Sequence, residues 1–162
     1  MQNVGRNFMK QYLLICSIIV LNLTGYGQSD SSLIFERAKK TLLHPVFNFN
    51  KLINSDSLNH QLGGCYEPGN IYYADEGETV KAIFEGKVVS IFELDKQYGL
   101  ITKFGSYFII YFGLTKPVAK KGDYIYTQQS LGKLIKIPSE ECQLMLMISN
   151  PTKNIDPSKW LK

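Results

Sequence analysis

The fold of this chain is decided by the stretch from Gly69 to Trp160, in which glycines separate short runs of alternating apolar residues. In order, it contains GNIYYA at 69–74, GETVKAIFEGKV at 77–88, YFGL at 111–114, VAKKGD at 118–123 and IDPSKWL at 155–161. Apolar residues at every second position are typical of β-strands, and glycines between such runs mark turns. The stretch therefore predicts a sheet-rich domain.

Two hairpins are expected in this stretch. Strands at Val80–Phe84 and Lys87–Leu94 would meet at Glu85-Gly86, and strands at Leu100–Phe104 and Tyr107–Leu114 would meet at Gly105-Ser106. Glycine supplies the positive φ that tight hairpins need. The unbroken apolar run 107–112 indicates a central strand that is buried on both faces. Further strands are expected at Asp123–Tyr126, Ser130–Ile137 and Gln143–Ser149.

Length and composition indicate one globular domain. The chain has 162 residues, with 44% hydrophobic and 20% charged residues, which excludes disordered and fibrous classes. Ten tyrosines and nine phenylalanines favour β-structure.

The first 27 residues have the pattern of a signal peptide. Tyr12 to Leu23 is almost entirely apolar but shorter than the roughly 20 residues that span a bilayer. Lys10 precedes the run, and Gly25 and Gly27 follow it at the spacing of a cleavage site. We expect a mature chain that begins near Gln28, is secreted or periplasmic, and has no stable membrane span; the alternative is an uncleaved anchor.

The charge pattern gives no indication of nucleic-acid binding. Loss of residues 1–27 removes Arg6 and Lys10, which leaves 16 basic against 14 acidic residues, a net charge of +2 compared with +4 for the whole chain. The remaining charges are scattered and do not form a basic patch.

The segment 28–68 is expected to form an N-terminal helix followed by a wrap, before a β domain at 69–162. Helical spacing predicts a helix over 31–43, capped by Ser31 or Ser32 and stopped by His44-Pro45. Residues 46–68 are rich in Asn, Ser and Gly, which indicates a long irregular connection.

The ordered glycines, alternating runs and closing Asp156-Pro157 resemble the M23 (LytM/lysostaphin-type) peptidase family over about 90 positions. The resemblance implies a mainly β fold: a compact antiparallel sheet or β-sandwich of the duplicated hybrid motif type, with one N-terminal helix. It also implies a groove across the sheet. In the family, two His and one Asp hold zinc there, two further His assist catalysis, and the usual substrates are peptide cross-bridges of peptidoglycan.

This chain departs from the family at each of those positions. Glu67 and Ile71 fall on the first ligand pair, Gly113 follows Tyr111 at the position of a catalytic His, and Gln143 and Met145 fall on a catalytic His and a ligand. A catalytic zinc needs three N, O or S ligands, and a thioether is a poor one. The resemblance therefore implies a pseudo-peptidase without a cofactor, whose groove is lined by Glu67, Ile71, Tyr111, Gly113, Gln143 and Met145.

Other candidate residues keep more than one interpretation. By alternation, Met145 and Met147 share a face with Gln143, and they could grip an apolar partner, bind a soft Cu(I) ion with a cysteine, or fill space left by the zinc site. Tyrosines could stack on sugar rings or fill strands; the candidates are Tyr72, Tyr73, Tyr107 and Tyr111.

The cysteines left after signal cleavage are Cys65 and Cys142. An even pair in a secreted protein favours a disulfide, and the resemblance brings the two segments close together. Strand alternation argues against the bridge, because Cys142 would face away from the groove.

Together, these patterns predict a secreted, non-catalytic, cell-envelope binding or regulatory module, with peptidoglycan or a cell-wall hydrolase as partner. Activation of such a hydrolase is the specific role that the resemblance suggests. The alternatives are an active zinc metallopeptidase with a non-standard ligand set, an envelope protein with no wall contact, and a lipoyl- or biotinyl-like β domain centred on Lys81.

Overall fold

The computed structural model describes residues 29–54, 68–136 and 141–162. The predicted signal peptide at 1–27, Cys65 and Glu67 lie outside the described residues, as does the end of the predicted strand 130–137. In the described part of the chain, no helix is long and apolar enough to cross a bilayer.

The described residues form one helix, ten strands and a short 3-10 turn. The helix α1 spans Ser29–Arg37 and the 3-10 turn spans Pro157–Lys159. The strands are β1 Phe49–Asn54, β2 Asn70–Ala74, β3 Thr79–Lys81, β4 Gly86–Leu94, β5 Gln97–Phe104, β6 Tyr107–Leu114, β7 Tyr124–Ile125, β8 Ser130–Lys133, β9 Gln143–Ser149 and β10 Asn154–Ile155. The predicted mainly β class with one N-terminal helix is confirmed.

An eight-stranded antiparallel sheet organises the domain. Its strand order is β1-β2-β9-β6-β5-β4-β7, with β10 paired to β9, while β3 and β8 form a separate two-stranded sheet. Apolar side chains pack on both faces of the large sheet. The larger cluster contains Leu144, Leu146 and Ile148, and the smaller one on the other face contains Met145 and Met147. The alternation predicted for the last long strand is therefore confirmed.

The predicted hairpin at Glu85-Gly86 is wrong. Strand β3 pairs with β8, and β4 pairs with β5 and β7. Gly86 begins β4, where an added Cβ would lie 2.8 Å from the carbonyl oxygen of Lys103, so this glycine serves close strand packing. The turn after β4 is instead made by Asp95 and Lys96, with φ of 50° and 67°.

The hairpin at Gly105-Ser106 is confirmed. Phe104 pairs with Tyr107 across the turn, and Gly105 has a φ of 57°. Every residue of β6 is buried, as its continuous apolar run predicted.

The helix is shorter than the predicted 31–43. It ends at Arg37, and Lys40 adopts a φ of 63°. Beyond that point the backbone pairs with the C-terminal tail: Leu42 N–H donates to the Trp160 carbonyl at 3.1 Å, and Lys162 N–H donates to the Leu42 carbonyl at 3.1 Å. These bonds replace the helical ones that a longer α1 would make.

Part of the predicted irregular connection 46–68 is a strand. Residues 49–54 form β1, which pairs with β2 along its length. The strand lies at one edge of the sheet, and none of its residues is fully buried. An edge strand tolerates polar residues, so its sequence lacked the apolar alternation that predicts a strand.

Candidate functional site

An apolar row of directly paired residues crosses the large sheet at the predicted groove positions. Ile71 of β2 pairs with Met145 of β9, and Met145 pairs with Phe112 of β6. Directly opposed residues in an antiparallel pair share a face. The row continues to Ile53 on one side, and to Gly99 and Phe92 on the other. We call these six residues the cross-strand row.

The centre of the cross-strand row is closed to solvent. Met145, Phe112 and Ile71 are only 3%, 4% and 8% exposed. The Phe92 and Phe112 rings stack with centroids 5.9 Å apart and planes 6° apart. Between them, a Cβ on Gly99 would lie 2.1 Å from the Phe92 ring, so only glycine leaves room for this stack.

Gly113 forms a β-bulge beside the cross-strand row. Tyr98 pairs with Leu114 and Gly99 with Phe112, so Gly113 is the extra residue of β6. Its φ is 112°, and an added Cβ would lie 2.1 Å from the carbonyl oxygen of Gln143. This backbone therefore has no room for a side chain at position 113.

Gln143 and Tyr111 occupy different environments. Gln143 is half-buried and pairs with Tyr73, next to the cross-strand row. Tyr111 lies on the opposite face: it is fully buried in the larger cluster, and its hydroxyl accepts a hydrogen bond from the Ile83 N–H at 2.9 Å. Burial raises the pKa of the Tyr111 phenol above its ordinary value. The predicted groove position of Tyr111 is therefore corrected to a core position.

Solved structures share this architecture. A protein from Pseudomonas aeruginosa assigned to peptidase M23 matches 94% of this chain and 60% of its own, with 16% identity and a TM-score of 0.65. A zinc-containing peptidase from Vibrio cholerae matches 75% of this chain and 40% of its own, with 18% identity and a TM-score of 0.60. The chain has the M23 peptidase fold.

A third structure agrees. Helicobacter pylori Csd3 matches 76% of this chain and 35% of its own, with 15% identity and a TM-score of 0.58. The chain spans between 35% and 60% of the length of these three solved chains. No protein-family model and no curated protein matches the sequence.

The described residues at the predicted groove positions do not fit a zinc ion. Ile71 offers no donor atom, Met145 offers a thioether, and Gly113 has no side chain. Within residues 29–54, 68–136 and 141–162, no group of three or more His, Cys, Asp or Glu is placed to hold a metal. Glu67 lies outside these ranges, and its predicted groove position stays a prediction.

A polar cavity of about 810 Å³ adjoins the Tyr73–Gln143 pair. Its lining includes Asn50, Lys51, Tyr73, Glu76, Lys136 and Cys142. The Lys51 ammonium lies over the Tyr73 ring, 5.1 Å from the ring centroid. A cavity with both charge signs and an aromatic wall can bind a small polar or zwitterionic group.

Cys142 lies in the lining of this cavity and is buried. Burial and the neighbouring Glu76 and Asp75 carboxylates raise the pKa of its thiol above the ordinary value. Its position in the larger cluster agrees with the predicted orientation away from the groove face. Because Cys65 lies outside the described residues, the Cys65–Cys142 bridge stays a prediction.

The other sequence candidates have structural positions. Tyr72 and Tyr107 are buried, Tyr73 is half-buried, and the Tyr72 hydroxyl lies 2.8 Å from His44 Nδ1. Lys81 lies in β3, with its ammonium over the Phe47 ring at 5.0 Å; a lipoyl site would want its lysine in a hairpin turn.

Sequence reasoning missed the tyrosines that are exposed. Tyr124 and Tyr126 are 46% and 65% exposed and lie in and beside β7. The alternation of Tyr124 and Tyr126 around buried Ile125 was the signal that could have found them.

Proposed function

We propose that the mature chain is a secreted, non-catalytic module of the cell envelope that binds peptidoglycan or a cell-wall hydrolase. In this proposal an N-terminal helix and wrap at 28–68 precede the β domain at 69–162. The observation that carries the proposal is the pairing of Ile71 with Met145, two positions where the M23 resemblance expects zinc ligands, and of Met145 with Phe112.

The chemistry of the cross-strand row supports loss of hydrolysis. Zinc peptidases lower the pKa of a bound water from its bulk value to about 7, and this requires a bound metal ion. Met145 and Phe112 instead pack in one apolar cluster, and Ile71, paired with Met145, is only 8% exposed. Apolar burial at these positions supports the absence of the open coordination position that catalysis needs.

The cavity beside Gln143 supports a remaining binding role. Lys51 and Lys136 can pair with carboxylates, while Glu76 can pair with an amine, and Tyr73 offers an aromatic wall. Peptides present all of these groups, so the cavity fits a short peptide such as a wall stem. An activator that docks on a cell-wall hydrolase would use the same kind of complementarity.

Secretion is supported by the composition of residues 1–27, with Lys10 ahead of a short apolar run and small residues after it. N-terminal sequencing of the protein from an envelope fraction tests it. We expect a first residue at or near Gln28. Met1 or Met9 at the terminus would indicate an uncleaved anchor.

Cosedimentation of mature protein with purified peptidoglycan tests the binding role. We expect the protein in the pellet and no release of soluble fragments, and we expect Lys51→Ala to weaken pelleting while Lys116→Ala, an exposed lysine outside the cavity, leaves it unchanged. A histidine-complete M23 peptidase serves as the positive control for fragment release. Fragments released by this chain would overturn the proposal.

If wild-type protein does not pellet, capture of a cell-wall hydrolase by the mature chain decides between the two proposed partners. We expect binding to raise hydrolase activity on peptidoglycan. The proposed function is rejected if the protein neither pellets with peptidoglycan nor binds a cell-wall hydrolase.

A further inference from the structure

We propose that Tyr124 and Tyr126 form a sugar-binding platform, separate from the groove, which takes the rings of a polysaccharide chain. The identity of that polysaccharide as the glycan of the cell wall rests on the proposed function. We call Tyr124 and Tyr126 the tyrosine pair.

The tyrosine pair is exposed in a way that the fold does not require. The buried residue between the two, Ile125, is 1% exposed, whereas Tyr124 and Tyr126 are 46% and 65% exposed. Their ring centroids lie 5.3 Å apart at an interplanar angle of 68°, so each presents a different ring surface. Val118 nearby is 94% exposed and extends the apolar area.

A small cavity of about 370 Å³ is lined by Tyr124 of the tyrosine pair. Its lining includes Val118, Asp123, Tyr124, Gln129 and Ser130. A carboxylate, a carboxamide and a hydroxyl together offer donors and acceptors to the hydroxyl groups of a sugar. Aromatic rings beside such polar groups match the two surfaces of a pyranose, which has apolar C–H faces and a polar rim.

The segment that carries the platform is held by hydrogen bonds. Lys120 N–H donates to Asp123 Oδ2 at 2.8 Å, and Tyr126 N–H donates to Gln129 Oε1 at 2.9 Å. Partial burial and the nearby Glu85 carboxylate raise the pKa of the Tyr124 phenol above its ordinary value. A backbone held in this way loses little conformational entropy when a ligand stacks on the rings that it carries.

The platform lies well away from the cross-strand row. Strand β7 pairs with β4 at Gly86 and Lys87, whereas Phe92 of the row lies six residues further along β4. At the rise of a β-strand this separation is about 20 Å. A polysaccharide could therefore occupy the platform without covering the groove.

The size and chemistry of the patch favour a sugar over a protein. A stable protein interface buries roughly 1,200–2,000 Å² around a desolvated apolar centre, and two tyrosines with one valine on a polar surround fall short of this. Lys120 and Lys121 are exposed on the same segment, and an anionic polymer would use them. Stacking on neutral sugars would not depend on them, and it would withstand salt.

Titration of the mature chain with a chito-oligosaccharide hexamer and with peptide-free peptidoglycan glycan strands tests the platform. We expect saturable binding, a loss of about tenfold or more in affinity for the Tyr124→Ala/Tyr126→Ala double variant, and retention in the Tyr124→Phe/Tyr126→Phe variant, which keeps both rings. Phe47→Ala, another exposed aromatic at 52%, is the matched control and should bind as wild type. Fluorescence of Trp160, the one tryptophan of the chain and 2% exposed, reports that each variant is folded.

Several results would overturn the platform. One is that wild-type protein binds neither probe, and another is that the double alanine variant binds as tightly as wild type. A third is that binding is lost both in 0.5 M salt and on Lys120→Ala/Lys121→Ala substitution. Tyrosine-dependent capture of a protein with no sugar binding would overturn it too. Unchanged pelleting of the double alanine variant with intact peptidoglycan, alongside lost glycan-strand binding, would support the platform and leave the groove as the second contact.

Discussion

Gly113 and Gln143 approach so closely that a Cβ on Gly113 would lie 2.1 Å from the Gln143 carbonyl oxygen. Gly113 also has a φ of 112° at the bulge of β6. The M23 resemblance places a catalytic His at position 113. In this chain the two strands have closed over the space that such a side chain would need.

Replacing Gly113 with alanine should therefore destabilise the fold by about 2 kcal/mol or more, because the side chain adds a clash to the cost of positive φ. Gly122→Ala is the matched control: Gly122 has a φ of 101° but nothing within 4 Å of an added Cβ. It should cost about 1 kcal/mol, from the backbone alone. Chemical denaturation measures both, and equal losses would contradict the close approach.

Tyr111 should contribute to stability through one buried hydrogen bond. Its hydroxyl accepts from the Ile83 N–H at 2.9 Å, and both residues are fully buried. Tyr111→Phe leaves that N–H without this acceptor and should cost about 1–3 kcal/mol of unfolding free energy. Tyr126→Phe, at a tyrosine that is 65% exposed, should cost close to nothing by comparison.

The partial burial of His44 should make stability depend on pH. Burial lowers the pKa of the His44 imidazole, and the nearby backbone of Lys162 opposes the shift. The folded state then binds fewer protons than the unfolded state, so stability falls as pH drops below about 6.5 and through the folded pKa.

Thermal unfolding at pH 7.5 and pH 5.5 measures this dependence. We expect the drop in Tm between these conditions to be smaller for His44→Gln than for wild type. His60→Gln, at the only other histidine, is the control. An identical pH dependence of wild type and His44→Gln would show that the imidazole titrates alike in both states.

A carboxylate at the centre of the cross-strand row should be poorly tolerated. Ile71 is 8% exposed between Ile53 and Met145, so Ile71→Asp places a carboxyl group in an apolar layer and should cost several kcal/mol. Ile53→Asp, at the half-buried edge of the same row, should cost clearly less. Similar losses in urea denaturation would mean that the row is not the closed core described here.

The sequence predicted the strands whose pattern is set by burial. Strand β6 is apolar throughout because both of its faces are covered, and side chains of β9 alternate between two clusters. For both strands, the sequence therefore predicted the position of the strand and which faces are buried. The turns between strands and the edge strands were harder to predict from the sequence. The turn at Asp95-Lys96 has positive φ without glycine, and β1 is polar because it lies at an edge.

The candidate site was predictable by position and not by environment. The M23 resemblance implied that Ile71, Gly113, Gln143 and Met145 lie near one another, and they lie on adjacent strands. The predicted groove position of Tyr111 is wrong because a β-bulge at Gly113 follows it in the strand. Alternation along the strand does not indicate such a bulge, nor which face of the sheet carries the groove. The exposed tyrosine pair lies in the predicted strand 123–126, where alternation places both tyrosines on one face but does not indicate that this face is exposed.

Zinc content is the most direct test of a silenced M23 site. Mature protein is incubated with excess zinc, freed of unbound ion and subjected to elemental analysis, together with a Glu67→Ala variant and a histidine-complete M23 peptidase as control. We expect well under one zinc per chain for wild type and variant alike, and about one for the control. One zinc per wild-type chain that is lost in Glu67→Ala would contradict the proposal that an apolar core has replaced the zinc site.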